Sequence, residues 1–205
     1  MDEARGVREF WFGKLPVSPE ALAARMDFWF GEDASSLAVR DAEIRARFGE
    51  VLERAAGDRL ESWADGPRRR LSLILLLDQF PRNIFRGTAR AFAYDSRALA
   101  LTLSGMQSGA DAALDAAERI FFYMPLQHAE SREVQDESVA ACRRLLAEAP
   151  AELRPSFATV LEYAEHHRSV IERFGRFPHR NRVLGRESTP AEEAWLSVSG
   201  ERFGQ

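Results

Sequence analysis

Along this chain apolar residues return every three or four positions, and no stretch of useful length alternates apolar and polar residues. That spacing predicts α-helices, and the scarcity of Val, Ile and Thr argues further against strands. Asp41 is placed to cap a helix through Ile44, Phe48, Val51 and Leu52 that stops near Gly57. A short helix holds Leu60 and Trp63, and Asp65-Gly66-Pro67 breaks it. The next runs from Pro67 to Gln79 with Leu73, Leu76, Leu77 and Phe80 inward, because Pro81 discourages helical geometry at Phe80. Asp95 reads as the cap of a helix through Leu99, Leu103 and Met106, ended by Gly109. Another carries Leu114, Ile120 and Phe121 to Met124, where Pro125 forces a kink or a fresh start. The pattern is helical again from Gln127 to Leu146, and from Phe157 to Phe174 beyond Pro150 and Pro155. Thr189-Pro190-Ala191-Glu192 combines a capping box with Pro at the first helical position, announcing a helix around Trp195 and Leu196. The fold class is all-α, one domain over residues 1–205, with antiparallel helix pairs and no significant sheet.

Two short echoes stand out from this pattern. Phe10-Trp11-Phe12-Gly13 returns as Phe28-Trp29-Phe30-Gly31, which reads as two helix ends with aromatic anchors, or as an exposed aromatic patch for a partner. Phe80-Pro81-Arg82-Asn83 returns as Phe177-Pro178-His179-Arg180-Asn181, and these segments hold both asparagines of the protein. Each Phe-Pro is expected to break a helix, leaving an Arg and an Asn at the bend. Capping accounts for each bend alone, whereas their matched chemistry favours one shared crevice.

Composition narrows the function classes. The chain has 205 residues, 45% of them hydrophobic and 29% charged, enough for a substantial core. A formal charge of −4 excludes a general nucleic-acid binder, and one cysteine, Cys142, excludes a disulfide framework or a multi-cysteine zinc site. Met1-Asp2-Glu3-Ala4-Arg5 does not open a signal peptide, and the longest apolar run, Leu71 to Leu77, is too short to span a bilayer. The expectation is a cytoplasmic protein with no membrane partner. Only Lys14 among the 28 basic residues is lysine. Such usage is what a GC-rich genome writes, so a single Arg carries less weight than an Asn.

Four segments carry chemistry. In the first, Asp78 follows a run of leucines and needs a partner, with Arg82 nearest, while Gln79 and Asn83 share the same bend. In the second, Pro125 is expected to open a new helix N-terminus that places Gln127 and His128 in its first turn, ready for an anion. In the third, Glu162 and His166 share a helix face, as do Tyr163 and His167. That pairing suits a general base or two metal ligands, but the further donors a metal requires are missing, so no metal site is expected. In the fourth, Arg173, Arg176, Arg180, Arg182 and Arg186 surround His179 and Asn181 and read as an anion receiver or as counter-charge for the acidic helices.

Leu77-Asp78-Gln79-Phe80-Pro81-Arg82-Asn83-Ile84-Phe85-Arg86-Gly87, Tyr123-Met124-Pro125-Leu126-Gln127-His128-Ala129-Glu130 and Arg176-Phe177-Pro178-His179-Arg180-Asn181 resemble the bacterial family catalogued as domain of unknown function 924. Phe10 to Gly13 and Gly185 to Pro190 extend the resemblance over almost the whole chain. It implies an all-helical fold similar to tetratricopeptide-repeat arrangements and no established activity or cofactor. Three functions follow as expectations. The first is a crevice that binds a small anionic molecule or an acidic peptide end through Asp78, Gln79, Arg82, Asn83, Gln127, His128, Arg176, His179, Arg180 and Asn181. The second is a hydrolase or transferase in that crevice with His128 or His166 as general base, oriented by Asp78 or Glu162. The third is a scaffold whose groove accepts a partner segment.

Overall fold

A computed structural model describes residues 2–31 and 33–199, and within them there is no strand. Its helices are α1 (Glu3–Phe12), α2 (Pro19–Phe30), α3 (Ala34–Ala56), α4 (Pro67–Ile84), α5 (Asp95–Gln107), α6 (Ala116–Gln127), α7 (Arg132–Glu148), α8 (Arg154–Phe174) and α9 (Pro190–Ser199), joined by short turns. α4 is the centre. Leu71 and every residue from Leu73 to Leu77 are buried, as is Phe80, and a helix apolar all round belongs in an interior. It packs against α1, α3, α5 and α6, while α7 lies between α6 and α8. The ends of α1 and α2 feed Trp11, Phe12 and Trp29 into this core, where they meet Phe121 at ring separations of 5.3, 5.7 and 4.6 Å, while Phe30 stays exposed. A smaller cluster of Val170, Ile171 and Phe177 lies under the turn that follows α8.

Four local expectations are corrected. α3 starts at Ala34 on an Asp33 cap, so Asp41 lies inside the helix and its carboxylate is available to other partners. Asp95 lies in the first turn of α5, after the cap position Tyr94, and its carboxylate too goes to other partners. α4 runs through Pro81 to Ile84, and α6 runs through Pro125 to Gln127. Each internal proline removes one backbone bond at a cost of about 3 kcal/mol, and burial of Phe80 and Ile84 or of Phe121, Phe122 and Leu126 offsets it. Gln127 and His128 therefore close a helix instead of opening one. Among the described residues no helix is long and apolar enough to cross a membrane.

Candidate functional site

The end of α4, the end of α6, the middle of α8 and the turn after α8 come together around a cavity of about 170 Å³. α4 supplies Gln79, Arg82, Asn83 and Arg86 or its flank, α6 supplies Gln127 and the cap residue His128, and α8 supplies His167. Arg40 of α3 joins them. His179 and Arg180 come from the Pro178–Arg180 turn, which starts after Gly175 ends α8 at φ +72°, a left-handed conformation that suits glycine. Glu130 fixes that turn by accepting from the Phe177 amide at 2.8 Å and from Arg186 at 2.7 Å. The remaining lining is apolar, chiefly Trp29, Phe30, Leu37, Phe92, Met124, Val160 and Tyr163.

The described lining contains four arginines and no carboxylate. Three carboxylates touch the arginines from outside the lining. Asp95 accepts two bonds from Arg82, both at 2.8 Å, and a longer one from Arg180 at 3.3 Å. Asp41 accepts from Arg86 at 2.8 and 3.1 Å and from Asn83 at 2.8 Å. Asp78 has no exposed surface and lies against His128 Nδ1 at 2.6 Å, Gln79 Nε2 at 2.6 Å and Arg82 at 3.3 Å. Arg82 and Arg86 are thus tied in pairs of bonds. Arg180 is not: it lies 4.6 Å from the rings of both Phe92 and Phe177, and its Nε has no hydrogen-bond partner. Burial, with the charge of Arg82 beside it, pushes the Arg180 guanidinium down to about 10. Arg40 donates to the Phe28 carbonyl, its Nε is likewise unpartnered, and burial lowers its pKa.

The histidines complete the electrostatics. Burial alone would raise the Asp78 carboxyl, but His128, Arg82 and the hydrogen bonds it accepts hold it well below the usual carboxylate range. Burial and the nearby Arg82 lower His128, which is therefore neutral and donates Nδ1–H to the ionised Asp78. That tautomer presents Nε2 as an acceptor. His167 bonds the Tyr163 carbonyl through Nδ1 at 2.7 Å, so its Nδ1 also carries the proton, and burial pushes the ring down to about 3. Burial and Arg180 push His179 down to about 2.

Of the residues singled out in the sequence, Gln79, Arg82, Asn83, Gln127, His128, His179 and Arg180 line this cavity, and Asp78 supports it. Four others do not line it. Arg176 is engaged by Glu192 through bonds of 2.7 and 2.8 Å, and Asn181 is turned to Ser188 and Glu192. The second Phe-Pro segment thus sends its Arg180 to the cavity and its Asn181 to the start of α9. Glu162 and His166 lie one position before Tyr163 and His167 on α8, about 100° around the helix, and it is the later pair that faces the cavity. Arg40, Arg86, Phe92 and Asp95 were not anticipated as site residues. In so arginine-rich a chain Arg40 and Arg86 carry no local mark, and Asp95 has the local look of a cap.

Among the described residues no cluster of three or more His, Cys, Asp or Glu could hold a metal ion. No curated protein matches the chain. A solved structure of a protein of unknown function, ATU0120 from Agrobacterium tumefaciens, is 39% identical, with a TM-score of 0.68, over 87% of this chain and 98% of that one. The family model described as bacterial protein of unknown function (DUF924) matches residues 7–200, and the chain belongs to that family.

Proposed function

We propose that this protein binds a small anionic ligand in the cavity between α3, α4, α6 and α8. The observation that carries the reading is the lining itself, four arginines and no carboxylate among the described residues. Arg82 and Arg86 are already committed to Asp95 and Asp41, so Arg180 and Arg40 are the receivers, each with an Nε lacking a partner. A guanidinium taken out of water and left incompletely paired is costly, and an anion beside it removes that cost. The amides of Asn83 and Gln127 orient the bound group. A cavity of about 170 Å³ suits a small molecule better than a peptide segment. Calorimetric titration with acetate and inorganic phosphate tests the reading. Binding should weaken in Arg40→Gln and Arg180→Gln variants whose circular dichroism is unchanged; affinity equal to that of the parent chain in both would refute it.

The 2.6 Å contact between His128 and Asp78 favours a second reading, catalysis in the same cavity. A buried carboxylate that fixes Nδ1–H leaves Nε2 to remove a proton and stabilises the imidazolium that forms. The described lining offers no serine, threonine or cysteine, and Cys142 is buried with its thiol pushed up to about 12. The nucleophile of a hydrolase or transferase here is then water or a second substrate, deprotonated by His128. A turnover screen with activated esters and phosphate esters checks this reading, which fails if activity survives His128→Gln.

A further inference from the structure

We infer that the ligand is a carboxylate monoanion carried on an apolar body the size of a single ring, an inference that rests on the anion-binding reading above. Three observations carry it. The first is charge. Four guanidinium groups meet three carboxylates, Asp41, Asp78 and Asp95, and the histidines of the lining are neutral. Among the described residues Arg40 alone of the four has no carboxylate within ion-pair distance, and Asp27 and Glu130 act on Arg40 and Arg180 only from farther off. A single open guanidinium suits a monoanion better than a phosphate dianion.

The second observation is the aromatic surface left beside that charge. Phe30 is 36% exposed and Tyr163 48% exposed, yet they stack on each other with centroids 6.2 Å apart and planes 24° apart, and both line the cavity. Large side chains left in water around a concave site gain when an apolar group covers them. Trp29, Leu37, Met124 and Val160 extend the same surface inward. The third observation is size. At about 170 Å³ the cavity is comparable with the roughly 150 Å³ apolar cavities that admit benzene.

Acetate, benzoate, benzyl alcohol and phenyl phosphate, titrated against the full chain by calorimetry, separate the parts of this inference. Benzoate is expected to bind about ten-fold or more tighter than acetate through burial of its ring. Benzyl alcohol and phenyl phosphate are expected to bind more weakly than benzoate. Tyr163→Ser, a change at an exposed side chain, should cut benzoate affinity and leave acetate unchanged. Acetate binding as tightly as benzoate would overturn the ring, phenyl phosphate binding more tightly than benzoate would overturn the monoanion, and benzyl alcohol matching benzoate would overturn the carboxylate. If acetate, benzoate, inorganic phosphate and phenyl phosphate all fail to bind, the anion-binding reading fails and takes this inference with it.

Discussion

Arg82 and Arg180 reach the same carboxylate oxygen, Oδ2 of Asp95, at 2.8 and 3.3 Å from segments far apart in the chain. Both guanidinium groups also lie over the Phe92 ring, at 5.4 and 4.6 Å. One acid thus holds two buried cations next to each other, with Arg82 better served than Arg180. The relationship fixes the turn after α8 against the start of α5 and leaves Arg180 under-compensated at the cavity.

Replacing that acid is expected to be severe. Asp95→Asn leaves two buried like charges with no shared counter-ion, and breaking a buried pair in this way costs about 3 kcal/mol. Urea unfolding should show that loss. Added acetate should recover part of it, since the anion replaces the missing charge. A midpoint that falls with no response to acetate would mean that the guanidinium groups do not face the cavity.

Stability is expected to decline in mildly acid solution. His167 and His179 ordinarily titrate near 6.5, but in the folded chain they are pushed to about 3 and about 2, by burial and then by neighbours that include His128 and Arg180. Below pH 6.5 the unfolded chain takes up protons that the folded chain refuses. The stability is fully present above about 6.5 and is lost as pH falls toward the folded values, at up to about 1.4 kcal/mol per pH unit for each histidine. Urea midpoints between pH 7.5 and 5 measure the slope, which His167→Gln should make shallower.

Glu192 ties down the last helix and should matter for stability alone. It accepts from the Thr189 amide at 2.7 Å, from Arg176 at 2.7 and 2.8 Å, and from Asn181 at 3.3 Å. Glu192→Gln weakens this capping arrangement, whose loss typically costs about 1 kcal/mol. The melting temperature should fall while affinity for acetate stays the same. Weaker acetate binding in this variant would return Arg176 and Asn181 to the site.

How much of this was legible in the sequence depends on distance along the chain. Periodicity identified the helical class, and the Thr189 to Glu192 box was readable because a cap is a local hydrogen-bond pattern. Pro81 and Pro125 misled, because a local rule cannot see the burial that carries α4 and α6 through them. Asp41 and Asp95 look like caps to any local rule, yet both spend their carboxylates on arginines from other segments. The two Phe-Pro-containing segments bring Arg82 and Arg180 to one cavity, while Asn181 is turned to Ser188 and Glu192. Choosing between the faces of α8 at residues 162–167 requires knowing which side meets α6, and no spacing within one helix supplies that.

Gly105 tests the packing that holds α5 in place. It lies inside that helix, where glycine is unfavourable relative to alanine by about 1 kcal/mol. A Cβ there would lie 2.5 Å from the Phe122 ring and 2.9 Å from Arg70 Cδ. The buried ring has nowhere to move, so Gly105→Ala should destabilise the fold by about 1–3 kcal/mol despite the helix-favouring residue. Equal or higher stability in thermal unfolding would show that α5 packs less closely on α6.

Anion binding should draw protons into the cavity. His128, His167 and His179 are held neutral by burial and by arginines that repel a second positive charge. A bound carboxylate offsets that repulsion and favours the charged imidazolium, so the complex holds its protons more tightly than the free chain does. By linkage, affinity should then rise as pH falls from 7 toward 6 through His128, while His167 and His179, at about 3 and about 2, stay neutral in that window. Calorimetry of benzoate binding in two buffers of different ionisation enthalpy reads the uptake directly. His128→Gln should reduce it, because the neutral amide cannot take a proton. Heats that do not depend on the buffer would show that the bound anion does not act on the His128 ring.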